Sequence, residues 1–220
     1  MGAVAETLEQ ERVEQRSEPR VAVLQAAAEC FMEHGFAATS IDDVARRLGA
    51  TKGMVYHHFR SKTDLFFAVY KRGMDINFET IAPLVDTPAP PVKRLFAMAR
   101  THAFTMMAQQ PFQRTVSQGV VMHQTGATTR AQRTTLDELI RIRDDYETLF
   151  SNAILAACRD AGTEPDDISL TTKSFLAVLN SPVHWYTPRS AKPEAEQQRL
   201  AAVSSAFALR GLGLTPPKDS

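Results

Sequence analysis

Residues Thr39 to Asp64, TSIDDVARRLGATKGMVYHHFRSKTD, restrict this chain more than any other stretch. Helix starts and a glycine turn follow one another in a span with room only for short, packed helices. Ser40 is placed to N-cap the first of them, and the Asp43 carboxyl can return the bond as a capping box. Ile41, Val44, Ala45 and Leu48 fall on one face at helical spacing. Gly49 can take the left-handed conformation that ends the helix. Thr51 caps a second helix, Lys52–Phe59, and Ser61 with Asp64 opens another. Two short helices joined by a glycine-containing turn make a helix-turn-helix, whose second helix lies in the DNA major groove.

The second helix divides into two faces. Val55 and Phe59 anchor it inward, leaving Lys52, Gly53, Met54, Tyr56, His57 and His58 outside. Gly53 costs about 1 kcal/mol in a helix against alanine, which makes sense where a phosphate or base edge must approach the backbone. Lys52 can donate to guanine or phosphate, the Tyr56 hydroxyl suits a phosphate, and His57 can donate or accept at a base edge. Thr39, Thr51 and Lys62 lie at helix N-termini, where free N–H groups and the dipole attract anions. Charge agrees locally. The chain holds 25 Lys and Arg against 25 Asp and Glu. Within 40–72, however, Arg46, Arg47, Lys52, Arg60, Lys62, Lys71 and Arg72 face only Asp42, Asp43 and Asp64. A basic island on a neutral protein points to focused duplex contact, although the same surplus also fits a solvated face. Adjacent His57 and His58 point in different directions and make a poor metal site. No metal and no cofactor is expected.

The stretch Val23–Val69 strongly resembles the N-terminal domain of the tetracycline-repressor (TetR) family. The resemblance is carried by the small-residue first helix ending in Phe31, by Gly35–Phe36, and by Thr39–Ser40–Ile41 with Val44–Ala45. It continues through Gly49, Thr51–Lys52–Gly53, Tyr56, Phe59 and Lys62. It implies an all-α homodimeric transcription regulator, usually a repressor released from its operator by a small ligand. It also implies that Thr39, Thr51, Tyr56 and Lys62 contact phosphates while Lys52, Gly53, Met54 and His57 face the groove. Val23, Leu24, Ala27 and Phe31, with Ile41, Val44, Leu48, Val55, Phe59 and Leu65, would form the small core beneath them.

Three regions are expected: a flexible polar tail over 1–17, a helix-turn-helix domain over 18–66, and a larger helical ligand-binding and dimerisation domain over 67–220. No apolar run approaches the roughly 18 residues of a membrane span, and the N-terminus lacks a signal-peptide core, so a cytoplasmic protein is expected. Cys30 and Cys158 read as reduced core residues. Past the reader, periodicity predicts helices from Ser61 to near Pro83, over Val92–Gln110, from Pro111, over Arg130–Ala161, over Asp166–Tyr186 and over Pro193–Leu212. Asp86–Pro91 and Gln124–Thr129 are read as breaks.

Leu95–His123 is rich in methionine and aromatic residues, a lining that adapts to a bulky apolar ligand as readily as it makes ordinary core. Met98, His102, Met106, Phe112, Met122, Tyr146, Phe150 and Trp185 are the ligand-binding candidates, with His123, Arg141 and Arg143 as further polar ones. Asn180–Pro188, NSPVHWYTP, resembles the C-terminal corner of TetR-family regulators of lipid, steroid and acyl-CoA catabolism. Thr187 stands where related sequences often carry a base. That resemblance implies an acyl-CoA or hydrophobic carboxylate effector. Phe175, Leu176, Val178 and Leu179, with Leu200, Val203, Phe207 and Leu209, would form a four-helix dimer interface. An alternative is a multidrug-sensing regulator of an efflux gene, yet Phe96–Met122 holds no acid to suit a cation. An enzyme is not expected, because no nucleophile elbow, P-loop, HExxH or paired-cysteine site is present.

Overall fold

The computed structural model describes residues 18–125, 129–189 and 193–217. The expected tail over 1–17 and residues 126–128 of the Gln124–Thr129 break lie outside them. All regular structure among the described residues is helical. The elements are α1 Glu18–Ala38, α2 Ile41–Leu48, α3 Lys52–His58, α4 Lys62–Val85, α5 Pro91–Ala108, α6 Gln110–Thr125, α7 Arg130–Asp160, α8 Ile168–Asn180, the short α9 Pro182–Trp185 and α10 Glu194–Gly211.

Local chemistry sets the reader's helix ends. Gly35, at φ 77°, breaks α1 one turn before its end. Ser40 and Asp43 make the reciprocal capping box, and Gly49 ends α2 at φ 68°. Ser61 caps α4 by accepting from the Asp64 N–H at 3.1 Å. Val23, Leu24, Ala27, Phe31, Ile41, Val44, Val55, Phe59 and Leu65 are buried as expected, while Leu48 is half-buried. Arg47 ties α2 back to α1 through Glu29 and Glu33, and the Glu33 bond raises the guanidinium pKa further.

Two boundaries differ from the periodicity. α4 continues through Pro83 to Val85, because a proline this near the end interrupts only the last turn, which Thr87 closes by donating to the Pro83 carbonyl at 3.1 Å. The segment expected as one helix over Asp166–Tyr186 splits into α8 and α9. Pro182 has no N–H to continue the first, but its fixed φ suits the start of the second.

α4 and α6 pack at the junction of reader and sensor. Their approach is close: a Cβ on Gly119 would lie 2.4 Å from the Tyr70 ring, and one on Gly73 2.8 Å from Val116. Three glutamines of α6 fix its register. The Gln110 Nε2 donates to the carbonyls of Val183 and Tyr186, both at 3.0 Å. Gln113 exchanges amide bonds with Asn77 of α4 at 3.0 and 3.1 Å. Gln118 spans the α1 break, accepting from the Phe36 N–H at 3.2 Å and donating to the Phe31 carbonyl at 2.9 Å. One hydrophobic core therefore runs from Phe31 through Phe66 and Tyr70 to Phe150, and the expected boundary at 66 falls inside α4.

The candidate DNA-reading face and effector site

α3 shows water the face expected of a reader. Val55 is fully buried beneath it, while Thr51, Lys52, Gly53, Tyr56 and His57 are exposed and Met54 is half-exposed. The Thr51 side chain makes no capping bond, so its hydroxyl is not held by the helix it precedes. A Cβ on Gly53 would meet only the Thr51 Oγ1, at 3.6 Å. Nothing inside the protein requires glycine there. Lys52 is paired across the turn, its Nζ 2.6 Å from the Asp42 Oδ2. His58 turns partly inward, and burial, with His57 and Arg20 nearby, lowers its pKa.

Two of the expected phosphate contacts are placed otherwise. Thr39 is 2% exposed, and its hydroxyl donates within α1, to the Gly35 carbonyl at 2.7 Å and the Cys30 carbonyl at 3.1 Å. The Lys62 ammonium donates to the carbonyls of Phe36, Ala37 and Thr39 at 2.8, 3.2 and 2.8 Å, and sits 4.5 Å from the Phe36 ring centroid. An ammonium has three donors, and all are taken. Both residues close the broken end of α1, where carbonyls without helical partners need donors. Their side chains hold the reader together rather than reaching outward.

The sensor candidates separate into a buried group and scattered ones. Buried His102 of α5 and Tyr146 of α7 form a relay with half-buried Asn180 of α8, with His102 Nδ1 2.7 Å from the Tyr146 hydroxyl and His102 Nε2 2.8 Å from the Asn180 Oδ1. The amide oxygen accepts from Nε2–H, so Nδ1 accepts from the hydroxyl and the ring is neutral. Burial pushes the His102 pKa down to about 4 and the Tyr146 pKa well up. Phe150 stacks edge-on against His102, with ring centroids 5.5 Å apart, and Met98 is fully buried. Met106 and Phe112 are also buried, and Met122 is partly buried against the core. Trp185 is not in this group: it is 55% exposed, on α9. His123 pairs with Asp137, and Arg143 with Glu147, near the surface. Asn180 is the partner that sequence reading missed, since nothing local distinguishes it from a helix-end asparagine.

A groove of about 930 Å³ opens where α1 meets α4 and α7. Leu24, Ala68, Phe78, Phe112 and Ile142 give it an apolar lining, and Arg20, Lys71, Arg72, Asp75, Glu79 and Asp145 supply charges of both signs. Phe78 stands edge-on to Tyr146, ring centroids 5.2 Å apart, between groove and relay. Among the described residues no cluster of His, Cys, Asp or Glu assembles a metal site, and no helix is long and apolar enough to cross a membrane.

The profile of bacterial regulatory proteins of the tetR family matches residues 23–69, and that of the tetracyclin repressor-like C-terminal domain matches residues 88–212. The chain belongs to the TetR family. It is a transcription regulator with a helix-turn-helix DNA-binding domain, as TetR-family proteins are, and not an enzyme. The transcriptional repressor KstR2 of Mycolicibacterium smegmatis is 25% identical over 184 residues, spanning 82% of this chain and 86% of KstR2. The ketosteroid regulator KstR2 of Mycobacterium tuberculosis has the same fold, with a TM-score of 0.72 at 20% identity over 89% of this chain and 95% of that one. AibR, solved with isovaleryl coenzyme A and operator DNA, superimposes with a TM-score of 0.69 at 24% identity over 91% of this chain and 100% of its own.

Proposed function

We propose that this TetR-family regulator acts as a homodimeric repressor on a palindromic operator and is released by a small hydrophobic effector, an acyl-CoA or hydrophobic carboxylate. The observation that carries DNA reading is the outward face of α3, with Thr51, Lys52, Tyr56 and His57 exposed above a buried Val55. One such helix has too little surface to read a site alone; two, set about 34–36 Å apart, meet successive major grooves. α8 and α10 supply a surface for pairing. Leu170 is 63% exposed, Val203 58% and Phe207 65%. Leu170 is not among the residues expected at that interface, and of those that are, Phe175, Leu176, Leu179 and Leu209 are buried within the protomer, so a partner would rest on the outer faces of these helices.

For the effector we favour the groove between α1, α4 and α7, which Phe78 and Phe112 line. An occupant there separates reader helix α1 from sensor helix α7 and shifts α4, which belongs to both. It changes operator affinity only if it binds one spacing of the two α3 helices better than the other. An acyl-CoA class fits the apolar lining beside Lys71 and Arg72, and AibR, a TetR-fold protein solved with isovaleryl coenzyme A, points the same way, while KstR2, named for ketosteroids, supports only a hydrophobic effector. The groove's Asp75, Glu79 and Asp145 favour a second reading, a multidrug regulator taking aromatic cations.

The test is a mobility shift at fixed salt, using the DNA beside the protein's own gene with excess nonspecific competitor. A discrete complex dissolved by acyl-CoA supports both parts. Dissolution by a cationic aromatic dye, at concentrations that leave an unrelated repressor bound, supports the second reading. A complex indifferent to both rules out these effector classes and leaves the DNA reader standing.

A further inference from the structure

Asp42 lies exposed in the first turn of α2, and its carboxylate sits against Lys52, the first residue of α3. It has no part in the capping box, which Ser40 and Asp43 complete on their own. The carboxylate is thus fixed beside the N-terminal end of α3, the end that meets base edges in a helix-turn-helix. An acid there opposes the phosphate attraction that supplies much of the affinity for DNA. As an exposed ion pair it also adds little to stability.

We propose that Asp42 and Lys52 together form a specificity determinant that reads one base pair by the polarity of its keto and amino groups. The inference rests on the DNA-reading role of α3. The pair presents an acceptor and a donor 2.6 Å apart. In the major groove every base pair presents the complement: guanine O6 beside the cytosine N4 amino group, or thymine O4 beside the adenine N6 amino group. These two groups bond each other across the pair, so they too are separated by about one hydrogen-bond length, roughly 2.9 Å. Lys52 has only donors and must face the keto oxygen; ionised Asp42 has only acceptors and must face the amino group. Turning the base pair over sets ammonium against amino and carboxylate against keto, which is unfavourable at both contacts. Guanine adds N7 beside O6, whereas thymine places a methyl group beside O4. The order of preference, naming the base under Lys52 first, is therefore G·C, then T·A, with C·G and A·T rejected. The missing side chain at Gly53, where only the Thr51 Oγ1 stands near, leaves room for the base edges next to the pair.

The experiment is selection from randomised duplexes by the full chain, comparing wild type with Asp42→Asn, Asp42→Ala and Lys52→Met. The wild type is expected to enrich a motif with one position per repeat restricted to guanine, then thymine. Asp42→Asn, whose amide donates and accepts, is expected to flatten that position by about tenfold while leaving the others intact. It should also bind competitor DNA several-fold more tightly, by loss of a negative charge. Lys52→Met must flatten the same position, and Asp42→Ala gives a second readout at the acid. If the Asp42→Asn motif superimposes on the wild-type motif while all binding rises uniformly, Asp42 acts as bulk charge and the proposal is overturned. Flattening at different positions by the two members overturns the pairing. A wild-type chain that enriches nothing overturns the DNA-reading role itself, and the pair with it.

Discussion

The outer face of α3 and the His102 relay treat polar groups in opposite ways. On α3, Thr51, Tyr56 and His57 stand in water and Lys52 shares a surface ion pair, so each stays available to a partner. In the sensor, His102, Tyr146 and Asn180 are bonded to one another beneath aromatic rings. Water supports polar groups on the reader at little cost. The sensor must supply every bond itself, because an unpaired polar group in an apolar interior is destabilising. The reader is thereby free to exchange solvent for DNA, while the sensor is held in one arrangement until something overcomes it. Between them, Lys62 and Thr39 are polar residues of the reader that behave like those of the sensor.

The sharpest break in this contrast comes from acid. The folded pKa of His102 is lowered to about 4, so between there and the ordinary histidine value near 6.5 the unfolded chain binds the proton more readily. The stabilising contribution is therefore complete above about pH 6.5 and is lost as pH falls toward 4, a change on the order of 3 kcal/mol. Urea denaturation at pH 7.5 and 4.5 should show a much shallower pH dependence in His102→Gln than in wild type. Equal pH dependence in the two proteins would mean the imidazole is not sealed.

A smaller effect separates the two lysines of the reader. Lys62→Met removes three donors from the end of α1 and should lower stability by about 2 kcal/mol, taking DNA binding down with it. Lys52→Met loses an exposed pair, so stability should move by less than about 0.5 kcal/mol while operator affinity falls. Thermal melts beside mobility shifts read both quantities. If Lys62→Met melts like wild type yet fails to bind, the ammonium reaches DNA after all.

The smallest effect has the opposite sign in the two assays. Gly53→Ala meets no obstacle in the protein and should raise stability by up to about 1 kcal/mol through helix propensity. Operator binding should weaken, because the added methyl stands where a phosphate or base edge approaches. Unchanged binding would remove Gly53 from the reading face.

Much of the reader was legible because its determinants lie within a few residues of one another. Ser40 and Asp43 are three apart and Gly49 ends the helix they start, so capping chemistry alone places α2. Short range was also incomplete: Thr39 and Lys62 sit at helix starts, which suggests anion contact, and only the return of the chain at Gly35 brings their side chains orphan carbonyls to satisfy. In the sensor, composition singled out Met98, His102, Tyr146 and Phe150 as ligand-binding candidates, and all four are buried, but composition could not tell a lined cavity from a filled core. Nor could it pair His102 with Asn180, which is 78 residues away.

By itself, then, the sequence determined the all-helical class, the helix-turn-helix and the outward set on α3, since periodicity, caps and glycine conformation act locally. Tertiary structure alone decided which polar residues turn inward and what they meet there. It seated Gln118 across the α1 break, turned Lys62 inward, sealed His102 and set Asp42 against Lys52. Each of these needs a partner delivered by a different helix, and the identity of that partner is fixed only when the helices pack.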